Sequence, residues 1–249
     1  MRREPGHSFL KRLGKTKLRA GGVKATNWLF SKLNLDENSR VLEVACNEAY
    51  SLIDFAKKYK NKNVGIDKSA SSIESAKKRV KEEGLCDYID LFVGDARKLP
   101  FEDESFDVVI NEAMLTMMPF TVKKEILKEY YRVLKKGGIL LTHDVLLVGE
   151  NDEQLKKLQK AVNIAVNPLS KDDWLNLFKE AGFKNMEYDT GKINFLTDEG
   201  LLADEGEEGR DRILKNAQLE ENCERFNRMR AAFSDDNCIF RYFALKSEK

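Results

Sequence analysis

Between residues 40 and 148, short apolar runs alternate with stretches of helical periodicity. Residues 40–45 (RVLEVA) form a nearly unbroken apolar run, as expected of a strand buried on both faces. Leu52, Phe55, Ala56 and Tyr59 then recur at helical spacing. Residues 63–67 (NVGID), 88–95 (YIDLFVGD), 106–113 (FDVVINEA) and 138–148 (GILLTHDVLLV) read as the second to fifth strands. Ser69 is placed to cap a helix that carries Ile73, Ala76 and Val80 inward, with Gly84 just past its end. Thr121 opens a helix with Val122, Ile126, Tyr130, Val133 and Leu134 on one side, stopped at Gly137-Gly138. Such alternation predicts an α/β fold: a parallel sheet with right-handed crossovers and helices on both faces.

Beyond residue 150 the rhythm changes. Ser170 and Asp173 form a capping box before a helix carrying Trp174, Leu175 and Phe178, ended by Gly182. Strand-like stretches at 183–191 and 237–246 flank a helical insertion at about 192–232. No Pro/Gly-rich linker or internal repeat divides the chain, so a single domain is expected over 1–249. Within it we distinguish a basic arm and helix (1–36), a core (37–150) and a C-terminal part of the sheet with the insertion (151–249).

Composition narrows the class. With 42% hydrophobic and 34% charged residues, the chain reads as a soluble globular protein, and no apolar run approaches transmembrane length. The basic N-terminus has no continuous apolar core and is not read as a secretory signal. Four scattered cysteines without C-x-x-C spacing argue against a metal site or a disulfide framework and fit a reducing cytoplasm. The formal net charge of +1 hides an asymmetry. Residues 1–24 carry eight Lys or Arg against one Glu, whereas 198–212 hold seven acids against two Arg. The basic arm either meets an anionic partner or docks against that acidic segment. No basic stripe is interleaved with aromatics, so no nucleic-acid partner is expected, and no membrane partner either.

In open α/β sheets, ligands lie outside the carboxyl ends of the central strands, at the point where strand order reverses. That directs attention to residues 45–49, Asp67, Asp95, Asn111, Glu112, His143 and Asp144. Glu43 lies in a strand destined for burial, where its carboxyl needs backbone amides, a basic residue of the arm or a ligand. Asp67, 24 residues later, suits the two hydroxyls of a ribose, with a helix-capping role as the alternative. Asp95-Ala96 offers an acceptor for an amino group beside a residue small enough for a flat base. Met114, Met117 and Met118 are candidates for an apolar pocket wall, with core packing as the alternative.

The ordered set "VLEVACN", "GID", "GDARKLPFEDESFDVVI" and "EYYRVLKKGGILLTHD" resembles the class I S-adenosylmethionine-dependent methyltransferases, most closely the bacterial small-molecule type. The resemblance implies a Rossmann-like, doubly wound, mostly parallel seven-stranded sheet with an antiparallel last strand. It implies S-adenosyl-L-methionine as cofactor and a small-molecule methyl acceptor. By position, Glu43, Ala45 and Asn47 would lie along the methionine and ribose, with Cys46 in the same turn. Asp67 would take the ribose, with Lys68 beside it; Asp95 and Ala96 would hold adenine; Asn111 would sit beside the sulfonium. The stretch 19–22, from Arg19 to Gly22, resembles an arm that closes over the cofactor.

The departure is the turn at 45–49, glycine-rich in the family and glycine-free here. Asn47 is the residue best suited to a left-handed conformation, and Ala45 and Ala49 fit where φ is negative. After the fourth strand, Asn111-Glu112-Ala113-Met114 lacks the Pro-Pro-aromatic pattern of enzymes that methylate bases or amides. Any general base is expected at Glu112 or His143, both at strand ends facing the cleft. The alternatives are that His143 bonds a neighbouring loop or that no base is used. Two further readings are a non-catalytic module with altered cofactor affinity and, without Gly-x-Gly-x-x-Gly to support it, a nicotinamide enzyme. No metal site is expected.

Overall fold

The computed structural model describes residues 4–234 and 238–249. Met1, Arg2 and Arg3 of the basic arm, and Asn237 of the last expected strand, lie outside the described residues. Helices α1 (Gly6–Leu13) and α2 (Gly22–Phe30) precede the sheet. Then follow β1 (Arg40–Val44), α3 (Tyr50–Tyr59), β2 (Lys62–Asp67), α4 (Ala70–Glu82), β3 (Ile89–Val93), β4 (Phe106–Glu112), α5 (Phe120–Val133) and β5 (Leu134–Leu147). The C-terminal part comprises α6 (Asp152–Val162), β6 (Leu169–Ser170), α7 (Lys171–Glu180), β7 (Lys184–Lys192), α8 (Asp198–Ala217), α9 (Glu220–Ser234) and β8 (Phe240–Glu248).

The strand order is β3-β2-β1-β4-β5-β8-β7, so the path reverses between β1 and β4. Every pairing is parallel except those of β8, which runs antiparallel to β5 and β7. The sheet has eight strands against the expected seven, because Leu169–Ser170 runs beside Leu146 and Leu147 before the Ser170 hydroxyl caps α7. Helix α6 and the two separate helices of the arm were not resolved by sequence pattern, although α1 and α6 are both amphipathic.

Side-chain alternation along the central strands splits the core into two faces. Val41, Val108, Ile110, Leu141, Tyr242 and Ala244 pack with α1, α2, α6, α8 and α9. Leu42, Val44, Val109, Leu140, Phe243 and Leu245 face α5 and α7, where Ile126, Tyr130 and Trp174 are fully buried or nearly so. This parity decides the site. Glu43 and Glu112 point to the arm side, and Asn111 points to α5.

The arm docks on the acidic insertion. Lys15 Nζ lies 3.3 Å from both Asp204 Oδ2 and Glu205 Oε1, and Arg19 Nε donates to Asp204 Oδ1 at 3.0 Å. The side chains of Lys15 and Asp204 are fully excluded from solvent. Glu205 also accepts from the backbone N–H of Thr16 and Lys17, at 2.9 and 3.1 Å. Gly206, with φ 71°, breaks α8 just after this pair, a conformation that costs glycine little. Of the two roles open to the basic arm, docking is the one its buried cations perform.

Removing Asp204 strands buried Arg19 and leaves Lys15 with Glu205 alone, and breaking such a cluster costs roughly 3–5 kcal/mol. Asp204→Ala is therefore expected to lower the urea midpoint by that amount of stability; a midpoint within about 0.5 kcal/mol of wild type would mean the cluster contributes nothing net.

Candidate functional site

At the end of β1 the chain turns through three left-handed residues in a span of five: Ala45 (φ 60°), Asn47 (φ 50°) and Ala49 (φ 61°). The expectation of negative φ at both alanines is therefore corrected; only that for Asn47 holds. A left-handed L-residue costs about 1–2 kcal/mol, so the turn is held by its bonds. Cys46 N–H donates to Ile66 O (3.1 Å), Asn47 N–H to Asp67 Oδ2 (2.9 Å) and Ala49 N–H to Cys46 O (2.8 Å). Asp67 Oδ1 accepts from Ser69 N–H at 2.8 Å, while the Ser69 hydroxyl caps α4. The Asp67 carboxylate is thus fixed by one backbone donor on each oxygen, and each oxygen retains further accepting capacity.

Two cavities open here. The larger, about 520 Å³, is lined by Glu43, Ala45, Cys46, Asn47, Asp67, Glu112 and Met117, and is walled by Thr16, Lys17 and Leu18 of the arm. The smaller, about 300 Å³, is lined by Lys68, Asp95, Ala96, Met118, Val122 and Ile126. They share Ala45, Asp67 and Met114. Asp95 is chelated by the Arg97 guanidinium, at 3.0 and 2.7 Å, which holds its carboxyl well below the usual range. Lys68 is exposed and lies 3.5 Å from Asp95. The Cys46 thiol is buried, and burial pushes it well above the usual thiol range, so it is no nucleophile.

The two acidic residues facing the arm differ. Glu43 is 4% exposed, its Oε2 has no hydrogen-bond partner among the described residues, and burial, Glu112 and Asp67 together push its carboxyl well up. Burial also acts to raise Glu112, but His143, Arg19 and the Ser51 hydroxyl (3.2 Å) outweigh it and hold the carboxyl below its usual range. Glu112 is an anion, and a weak base.

Glu112 and His143 are cross-strand neighbours on β4 and β5. The expectation that both face the cleft holds for Glu112 alone. His143 is 1% exposed; its Nε2 accepts from Gly21 N–H at 2.9 Å, and its Nδ1 lies 3.7 Å from Glu112 Oε2. The neutral ring therefore carries its proton on Nδ1, towards Glu112. Asn111 is fully buried on the α5 face, where its Oδ1 accepts from Tyr130 at 3.0 Å; it does not line either cavity. Neither do Arg19 and Gly22; Arg19 is tied to Asp204 and Thr26, and the arm meets the cavity just before it, at residues 16–18. Missed by sequence pattern were those arm residues, His7 at the cavity wall, and Tyr50 and Ser51 on α3. Their only signal is position: Tyr50 and Ser51 open the helix that follows the turn.

A family model described as a methyltransferase domain matches residues 35–182. A protein of Haemophilus influenzae described as uncharacterized is 46% identical over 248 residues, covering 99% of this chain and 98% of that one. Methyltransferase GfsG of Streptomyces halstedii is 30% identical over 136 residues, which span 55% of this chain and 48% of its own length. The solved phosphoethanolamine N-methyltransferase 2 of Haemonchus contortus, in complex with phosphomonomethylethanolamine and S-adenosylhomocysteine, shares the fold at a TM-score of 0.77 with 17% identity, over 97% of this chain and 56% of that one.

The left-handed turn makes its own test. Asn47→Gly should leave stability within about 0.5 kcal/mol, whereas Asn47→Val should cost about 1–3 kcal/mol, since β-branched residues are strongly disfavoured at positive φ. Denaturant titration of the two variants decides; equal stability would refute the account of the turn.

Proposed function

The chain belongs to the methyltransferase domain family, of the class I S-adenosylmethionine-dependent type, and on that premise we propose that it methylates a small molecule in the larger cavity. The observation that carries this reading is the meeting of two cavities at Ala45, Asp67 and Met114, at the carboxyl end of β1 where strand order reverses. The cofactor fits the residues present. The smaller cavity has the apolar walls and the Asp95 acceptor that a flat amino-bearing base requires. Asp67 is fixed to accept from a pair of hydroxyls, and the unpartnered Oε2 of Glu43 awaits a cationic group. The bound S-adenosylhomocysteine in the Haemonchus enzyme supports the same choice.

S-adenosylmethionine supplies a methyl group already activated on a sulfonium, so the protein's part is alignment and exclusion of water. Thr16, Lys17 and Leu18 roof the larger cavity, and the Asp204–Glu205 cluster locks them down. His143 pins Gly21 and turns its own N–H to Glu112, which makes it a positioning residue in this reading. A single methyltransferase domain over the whole chain is part of the proposal. Among the described residues no helix is long and apolar enough to cross a membrane, and all four cysteines are free thiols, which supports a reducing compartment.

Calorimetric titration with S-adenosylmethionine tests the reading. Wild type should bind, and Asp67→Ala should lose roughly 1.5–3 kcal/mol, the value of a charge-assisted hydrogen-bond pair. A wild type that does not bind would leave the fold as a non-catalytic module.

A second prediction concerns protons. Glu43 is protonated more readily than an ordinary carboxyl in the free protein, and a bound cation favours its ionised form. Cofactor binding should release protons, and affinity should rise with pH above the ordinary carboxylate range. Titrations in buffers of different ionisation enthalpy check this; identical heats and a flat pH profile would remove Glu43 from the cofactor's cationic end.

A further inference from the structure

The larger cavity carries charge of both signs, but only one sign is unpaired at its inner end. On its walls Lys11 is bound to Glu48 at 2.5 Å, and Lys17 is bound to Asp54. Glu48 also receives Arg79 at 3.4 Å. Arg19, which attracts Glu112 through space, gives its hydrogen bond and ion pair to Asp204 at 3.0 Å. What remains facing the interior is acidic. Among the described residues the Glu112 carboxylate meets the Ser51 hydroxyl and, at 3.7 Å, the His143 ring; Arg19 attracts it through space, and no Lys or Arg forms an ion pair with it. Beside it Glu43 is nine-tenths buried and more, with Oε2 unpartnered.

The sheet fixes which of the two carboxylates meets the acceptor. Val44 pairs with Asn111, so Ala45 and Glu112 leave adjacent strands at the same level, on either side of the reversal in strand order. Glu43 lies deeper, two residues before the turn begins at Ala45. Glu112 stands at the mouth of the gap, with Ala113, Met114, Met117 and Leu18 as apolar neighbours in the cavity wall.

We infer that the methyl acceptor is a small amine, and that Glu112 is the residue that selects it. The inference rests on the methyl-transfer reading above and deepens it. An anionic acceptor, such as a phosphate or carboxylate held at the reacting end, would face two acidic side chains in a low-dielectric pocket, where among the described residues each lining Lys is already paired. A neutral alcohol gains a hydrogen bond to Glu112, as the Ser51 hydroxyl does, but brings no charge for the carboxylate to pair with. An amine gains twice. Its ammonium form is drawn into the cavity, and after that proton is lost to solvent its lone pair forms the N–C bond while the C–S bond breaks with its electron pair moving to sulfur. Positive charge thus passes from sulfur to nitrogen, and a carboxylate held ionised at that point stabilises the charge where it develops. Glu112 acts here by its charge, consistent with its being a weak base.

The experiment uses the full-length protein and radiolabelled S-adenosylmethionine, with a panel of primary and secondary alkylamines matched by length to alcohols, thiols and carboxylates. Binding of n-butylamine, n-butanol and butanoate is measured in parallel by calorimetry in the presence of S-adenosylhomocysteine. Label should appear on amines, with at least tenfold preference over the matched alcohols and carboxylates. Glu112→Gln should lower kcat/KM for the amine roughly 10- to 100-fold, as expected for loss of a charged partner, and abolish the binding preference for n-butylamine, while affinity for S-adenosylhomocysteine stays within about twofold. Label on alcohols, thiols or carboxylates instead, label on nothing in a protein that binds S-adenosylhomocysteine, or amine turnover indifferent to Glu112→Gln would each overturn the inference. Failure to bind S-adenosylhomocysteine would strike the methyl-transfer reading itself, which keeps the two failures distinct.

Discussion

Three left-handed residues in a span of five, none of them glycine, are the constraint on which the site depends. The turn has to reverse β1 into α3 within five residues and leave its inner surface open to a ligand. The conformational demand is the one that glycine usually meets, and here it is met by two alanines and an asparagine. The strain is offset locally. Cys46 is bonded to β2, Asn47 to the Asp67 side chain, and the Ala49 methyl is wholly buried at the start of α3. Because Asp67 is both a brace of the turn and a wall of each cavity, turn and cavities form one unit.

The second organising contact lies opposite. A basic arm and an acidic insertion, far apart in sequence, neutralise each other inside the protein through Lys15, Arg19, Asp204 and Glu205. That cluster stations Thr16, Lys17 and Leu18 over the larger cavity. Gly21, five residues past Thr16, is then caught by His143 from β5, whose other nitrogen faces Glu112. The roof and the acidic floor are therefore joined through one imidazole. This explains how a histidine at a strand end is withdrawn from the cleft without being idle.

Much of this was legible in the sequence, for physical reasons that differ by residue. The core strands were readable because burial on both faces writes itself as unbroken apolar runs, and Ser69 and Ser170 because caps have a fixed chemistry. Asp67 was readable from its place at a strand end. The orientation of Asn111 was also in principle readable: alternation from Val109 sends it to the α5 face, and from Ile110 sends Glu112 to the cavity. The strand-end rule applied to both residues at once obscured that. The positive φ of Ala45 and Ala49 was not readable, since alanine carries no left-handed preference and the tertiary bonds that impose it are non-local. Nor was the lining by residues 16–18, which follows from a charge pairing across some 190 positions.

The central claim is that a turn without glycine keeps the shape that admits the cofactor. A crystal structure with S-adenosylhomocysteine tests it most directly. Ala45, Asn47 and Ala49 are expected unchanged at positive φ, with the ribose hydroxyls on Asp67 and the ligand spanning both cavities. A turn that rebuilds to negative φ on binding, or a ligand seated away from Asp67, would contradict it.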